Sequence, residues 1–238
     1  MRFRPLLVVG LGLLAGSASA QTVPLDLPVF QSLSGTAVSL MILITVISLA
    51  PGIAIMITCF PFMVTVMAIL RQALGLQQSP PNMLLVSLAL FLTYFVMDPV
   101  FSEAWEVGIE PMVSETLPAE EALKRAFDPF ERFMTARVDP ETLTSLANIR
   151  SFDLSQGSAP ASVLIPSFML SEIARAFQVG FLIFLPFLII DLVVAAILMS
   201  MGMMMVPPAI VSLPFKLAFF VVADGWRLIS EGLVRGYM

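Results

Sequence analysis

The sequence predicts an all-α integral membrane protein, built from bent apolar helices with a helical extracytoplasmic domain between them. Three observations carry this. First, 58% of the 238 residues are hydrophobic and only 12% are charged, with a mean hydropathy of +0.97. A soluble domain carries about 25% charged residues, so lipid or other apolar protein must face much of this chain. Second, the apolar residues come in long runs punctuated by proline. Third, charge is concentrated in residues 99–165, with eleven acidic and five basic side chains.

The same composition removes several function classes. There is no histidine, which excludes His-based general bases, Ser/His/Asp triads and HExxH zinc sites. The single cysteine, Cys59, lies among apolar residues and reads as an inert buried thiol. No catalytic, metal or cofactor site is expected. A net charge of −5 and a pI near 4.7 give no footing for nucleic acid.

The first element is a targeting segment. Arg2 and Arg4 form a positive n-region, residues 6–14 (LLVVGLGLL) a short apolar core, and Ala18-Ser19-Ala20 a cleavage site. Those nine residues span only ~14 Å of helix, too short for a bilayer. Residues 1–20 are therefore read as a signal peptide cleaved between Ala20 and Gln21, which places the new N-terminus outside the cytoplasm. Residues 21–36, with Pro24, Pro28 and Gly35, form a polar, turn-rich exported arm.

Residues 37–98 form the first hydrophobic section. The run 37–70 is too long for one span, at ~51 Å of helix against ~30 Å of hydrocarbon. Pro51-Gly52 and Pro61 interrupt it, so a bent helix or helical hairpin is expected. Pro80-Pro81 breaks the connector at 71–82, Asn82 is a candidate N-cap, and Asp98-Pro99 closes the apolar run 83–97.

The acidic section, 99–165, reads as a soluble helical domain. Residues 119–134 have helical periodicity, with Leu123, Phe127, Phe130, Phe133 and Met134 on one side. Residues 153–161 (DLSQGSAPA) are a linker. The last hydrophobic section is 166–238, the chain becoming apolar again from residue 165. Residues 165–177 carry Glu172 and Arg175 on one helix face, and 179–199 are span-length with Pro186 and Asp191 inside. Residues 199–205 form a loop or helix end, Pro207-Pro208 stops it, and 210–222 carry Pro214 and Lys216. Asp224-Gly225-Trp226 ends that run. A simple four-span count puts 99–165 and the C-terminus outside, and Arg71 and the Met-rich loop inside.

Glu172, Arg175, Asp191, Lys216 and Asp224 lie in or beside apolar segments. A charge at the membrane centre costs at least ~2.5–3.5 kcal/mol, so such groups face protein or water. They fit either an ion path or ion pairing between helices or subunits; the lack of histidine and of a dense carboxylate relay favours pairing. Five of the sixteen methionines lie within seven residues: Met199, Met201, Met203, Met204 and Met205. Methionine repacks around irregular shapes and suits surfaces that accept many sequences. Apolar filler at a helix end is the other reading.

Residues 180–208 (GFLIFLPFLIIDLVVAAILMSMGMMMVPP), then Ser212-Leu213-Pro214-Phe215-Lys216 and Asp224-Gly225-Trp226, closely resemble the FliP/SctR family, P subunits of type III protein-export gates. Residues 70–75 (LRQALG), Pro80-Pro81-Asn82, 88–97 (LALFLTYFVM) and 129–134 (PFERFM) match the same family. The resemblance implies bent helical hairpins in a pore-forming oligomer: several copies of this chain with the Q and R subunits, joined by the B and A subunits. Such a gate sits in the bacterial inner membrane at the flagellar basal body and passes unfolded proteins. It maps the family's methionine gasket onto Met203, Met204 and Met205, with Met199 and Met201 adjacent. It also likens the Ser171-Glu172-Ile173 segment and Lys216 to inter-subunit contacts, and places the bent hairpins largely above the membrane plane, which revises the four-span count.

Residues 136–149 (ARVDPETLTSLANI) depart from the family's charged pattern. Virulence injectisomes contain a close relative of this subunit, but the cleaved signal favours the flagellar branch. A small-solute transporter is the alternative from another class; it would need convergent polar groups at a midplane site, where the sequence offers scattered charges.

Overall fold

The computed structural model describes residues 28–76, 79–154 and 159–238; the signal peptide and the cleavage site at Ala20–Gln21 lie outside them. Every regular element described is helical. In chain order these are α1 (Pro28–Met56), α2 (Phe60–Ala73), α3 (Asn82–Ala104), a π-helical turn (Trp105–Ile109), α4 (Glu110–Val113), α5 (Ala119–Arg137), α6 (Pro140–Ile149), α7 (Ala161–Ser200), α8 (Pro208–Val222) and α9 (Gly225–Arg235). The chain divides inside α1. Residues 28–47 are the described part of one unit, and Ser48–Met238 form the other, to which the packing and the site described below belong.

Proline positions explain where expectation and structure differ. Pro51 and Pro99 lie inside α1 and α3, which run through them. A proline costs one backbone bond and a clash with the preceding turn, but an otherwise apolar helix carries that cost when no polar alternative is at hand. The long first run breaks instead at residues 57–59, and Pro61 sits in the first turn of α2, where its missing N–H is no loss. Pro28 likewise opens α1, so residues 28–36 are helix and not turn-rich arm. Pro166 and Pro186 fall within the 40-residue α7, which joins the two segments expected separately and is ~60 Å long.

Among the described residues, two helices are long and apolar enough to cross a membrane, Asn82–Val113 and Ala161–Ser200; Pro208–Val222 and Gly225–Arg235, bent by 62°, make a third if taken as one broken span. By length and composition the described residues thus offer two or three candidate spans, beside the four of the simple count. Asn82 does not cap its helix: its side chain accepts a hydrogen bond from Arg71, and Pro81 holds the cap position.

α2 is the centre of the packing. Seven of its fourteen residues are buried, enclosed by Leu85, Ala89 and Met97 of α3, Ala176 and Phe187 of α7, Phe220 of α8 and Leu233 of α9. Gly180 permits the approach of α7, since a Cβ there would lie 2.4 Å from Ile69 Cδ1. A second cluster joins Ile57 to Met134 and Val138 near the end of α5 and to Leu164 and Phe168 of α7. In lipid, packing of this kind holds helices together, because removal from water is not at stake. Phe127, Phe130 and Phe133 pack on that cluster, whereas Leu123, expected on the same side, is exposed.

Candidate functional site

Two buried ion pairs pin α7 at points nineteen residues apart, roughly 28 Å along the helix. At the first, Glu172 is fully buried. It accepts from Arg137 Nε at 3.3 Å, from an Arg175 guanidinium nitrogen at 3.4 Å and from the Tyr237 hydroxyl. Arg175 also donates to the Arg137 carbonyl at 3.3 Å. Ser171 receives the Asp139 amide at 2.9 Å while donating to the Ser167 carbonyl. Asp139 meanwhile caps α6 by accepting from the Thr142 amide and hydroxyl. Thr142's hydroxyl, then its amide, holds the Asp139 carboxyl below the usual range.

At the second pin, Lys216 of α8 donates to Asp191 Oδ2 at 2.6 Å and to the Ala73 carbonyl at 3.1 Å. Ser212 donates to Asp191 Oδ1 at 2.6 Å. The lysine thus ties α7 and α8 to the last turn of α2. One helical turn separates Ser212 from Lys216 on α8, so both reach the same carboxylate. Glu172, Arg175, Asp191 and Lys216 therefore have partners within this chain, between helices. Asp224 stands apart. It is an exposed residue at φ 50° that pairs with Arg227 at 2.5 Å.

The left-handed residue at this corner is Asp224 and not its neighbour Gly225 for a packing reason. A Cβ on Gly225 would lie 2.3 Å from the Phe220 ring, so the glycine is used for closeness. The aspartate, with a short polar side chain, tolerates the turn.

Beyond Asp191, α7 and α8 continue as a hairpin ending in the methionines. Gly202 is left-handed at φ 74°. The Gly202 amide donates to the Met199 carbonyl at 3.0 Å and the Met203 amide to the Leu198 carbonyl at 2.9 Å, a Schellman stop. The glycine inside the methionine run is thus what ends α7. Met204 and Met205 are 85% and 98% exposed, and Met199 and Met201 exceed 60%, so none of these four packs into the subunit's own core. Met203 is the most covered, at 38%. With Met201 it lines an apolar groove between α7 and α8, about 510 Å³ in volume, together with Val193, Ile197, Val211 and Phe215.

Arg137, Ser212 and Tyr237 escaped the sequence reading. Arg137 lies 35 residues from Glu172, and Tyr237 lies 65 away, so no helical spacing links them. Ser212 was legible only as part of a motif. Among the described residues no cluster of acidic or sulfur ligands suits a metal ion.

Long apolar helices, buried charges paired between them and a hairpin tipped with exposed methionines define a helical membrane protein. Residues 43–233 match the FliP family, and the chain belongs to it. It is 46% identical to the flagellar biosynthetic protein FliP of Caulobacter vibrioides, over 98% of this chain and 88% of that one. It is 43% identical to that of Rhizobium meliloti, over 97% of both. To that of Bacillus subtilis it is 44% identical, over 87% of this chain and 94% of the relative.

Proposed function

We propose that this chain is the P subunit of the flagellar type III protein-export gate, in which several copies with the Q and R subunits enclose a pore for unfolded proteins. The B and A subunits would join this assembly in the inner membrane at the flagellar basal body. The relatives are all named as flagellar proteins, which favours this over an injectisome role. The carrying observation is the α7–α8 hairpin, whose tip spends its methionines on no contact in its own core.

Arranged around an axis, Met203, Met204 and Met205 from each copy form a gasket, with Met199 and Met201 behind them. Thioether chains make no directional bonds, so a closed ring excludes ions yet yields to a peptide of nearly any sequence. The Schellman stop fixes the base of the loop, and side-chain freedom does the rest. A transporter reading gains nothing from the structure, since Glu172, Asp191 and Lys216 are already occupied by partners.

Replacing Met203, Met204 and Met205 with alanine is expected to leave the complex assembled while making the inner membrane leak ions. Normal export with no added conductance in bilayer recordings refutes the gasket. Residues 99–165, with a net charge of −6 from five basic and eleven acidic groups, belong on the outer side in this reading. A cysteine replacing the exposed Ser114 in a Cys59→Ser background should then react with an impermeant thiol reagent in intact spheroplasts. Labelling only after lysis overturns that placement.

A further inference from the structure

The segment after α9 turns back into the core. The Tyr237 ring meets Phe62 edge-on at 5.4 Å and stacks with Phe133 at 6.2 Å. The Arg137 guanidinium lies 3.7 Å from its centre, and Arg137 also donates to the Gly236 carbonyl at 3.2 Å. The Tyr237 hydroxyl donates to Glu172. Burial, then the charge on Glu172, pushes the phenol above its usual range, so the hydroxyl keeps its proton and remains a donor. Two residues outside any helix thus touch α2, α5 and α7 at once.

We propose that residues 236–237 are a latch, in which Glu172 and Arg137 grip the segment after α9 by the Tyr237 ring and hydroxyl and the Gly236 carbonyl, closing the end of the core where α2, α5 and α7 meet. Tyr237 acts as a positioning residue. It gives the buried carboxylate a third donor that no helix supplies, and its ring covers Phe62 and Phe133. The latch makes the seat of α9 depend on Glu172, independently of the export-gate reading.

The chain carries its own reporter. Cys59 is its only cysteine, fully buried one helical turn before Met63 in the same cluster as Phe62. Burial pushes its thiol up to about 12, with the Glu172 charge adding to the effect. Because the thiolate is the nucleophile, alkylation at pH 8 proceeds only through an opened form, and its rate reads the opening equilibrium.

The experiment follows N-ethylmaleimide labelling of Cys59 in membranes holding the full chain, quantified by mass spectrometry of the Cys59 peptide. Tyr237→Phe keeps the ring and removes the donor to a charged acceptor; it should raise the rate about tenfold or more. Tyr237→Ala should raise it further. Labelling of Tyr237→Phe within twofold of the parent overturns the latch. Should Tyr237→Phe not accumulate, Arg137→Lys decides. It retains a cation beside Glu172 but loses the planar stack and the fixed donor geometry toward Gly236. Faster labelling supports the latch, and an unchanged rate refutes it.

Discussion

The pin at Lys216 predicts an asymmetry between its two partners. The Lys216 side chain is 6% exposed, whereas that of Asp191 is 31% exposed. Removing the carboxylate in Asp191→Leu strands a buried ammonium whose remaining partner is the Ala73 carbonyl. Breaking a buried pair in this way costs ~3–5 kcal/mol. Removing the ammonium in Lys216→Met leaves a carboxylate that keeps the Ser212 hydroxyl as a donor at 2.6 Å and is less enclosed than the lysine. That charge-assisted hydrogen bond offsets part of the loss, and the cost falls to ~1–2 kcal/mol. In the double variant no charge is stranded, so its cost should fall below that of Asp191→Leu alone, with a coupling of ~2–3 kcal/mol. Reversible unfolding in mixed micelles against rising SDS measures all three. Equal losses in the two single variants, or a double variant equal to their sum, would refute the reasoning.

Gly180→Ala should destabilise the α2–α7 contact by ~1–3 kcal/mol, because its Cβ falls 2.4 Å from Ile69 Cδ1. Adding Ile69→Val removes that methyl and should recover part of the loss, read in the same unfolding titration. Stability should also fall as pH rises from 9 toward about 12, the ordinary and buried values for Cys59. There the unfolded chain has shed the thiol proton and the folded one still holds it. Cys59→Ala should make the decline shallower over that window, leaving the part due to Tyr237, whose phenol is also raised; unfolding at stepped alkaline pH measures it, and an unaltered slope rejects the assignment.

Much of this protein is written in local chemistry. Fifty-eight per cent hydrophobic residues against twelve per cent charged decide the solvent, because a water-facing surface needs more charge than this chain has. The end of α7 is legible as a loop or helix end within 199–205, although only the structure places the Schellman stop at Gly202. The methionines around it announce themselves by density, and Glu172, Asp191 and Lys216 by being charges in apolar surroundings.

Tertiary structure decided the rest. Whether a proline breaks a helix depends on what its neighbours offer the freed carbonyl, so Pro99 and Pro186 pass inside helices while the chain breaks at 57–59, before Pro61. Partner choice is likewise non-local. A buried charge in the sequence states only that a partner exists, and Arg137 and Tyr237 meet Glu172 because α5, α7 and the segment after α9 converge. Lys216 finds the Ala73 carbonyl across 143 residues. The sequence by itself determined the solvent, the helical class and which residues carry cost; packing alone decided which groups share that cost, since periodicity reaches only one turn along a helix and these contacts join different helices.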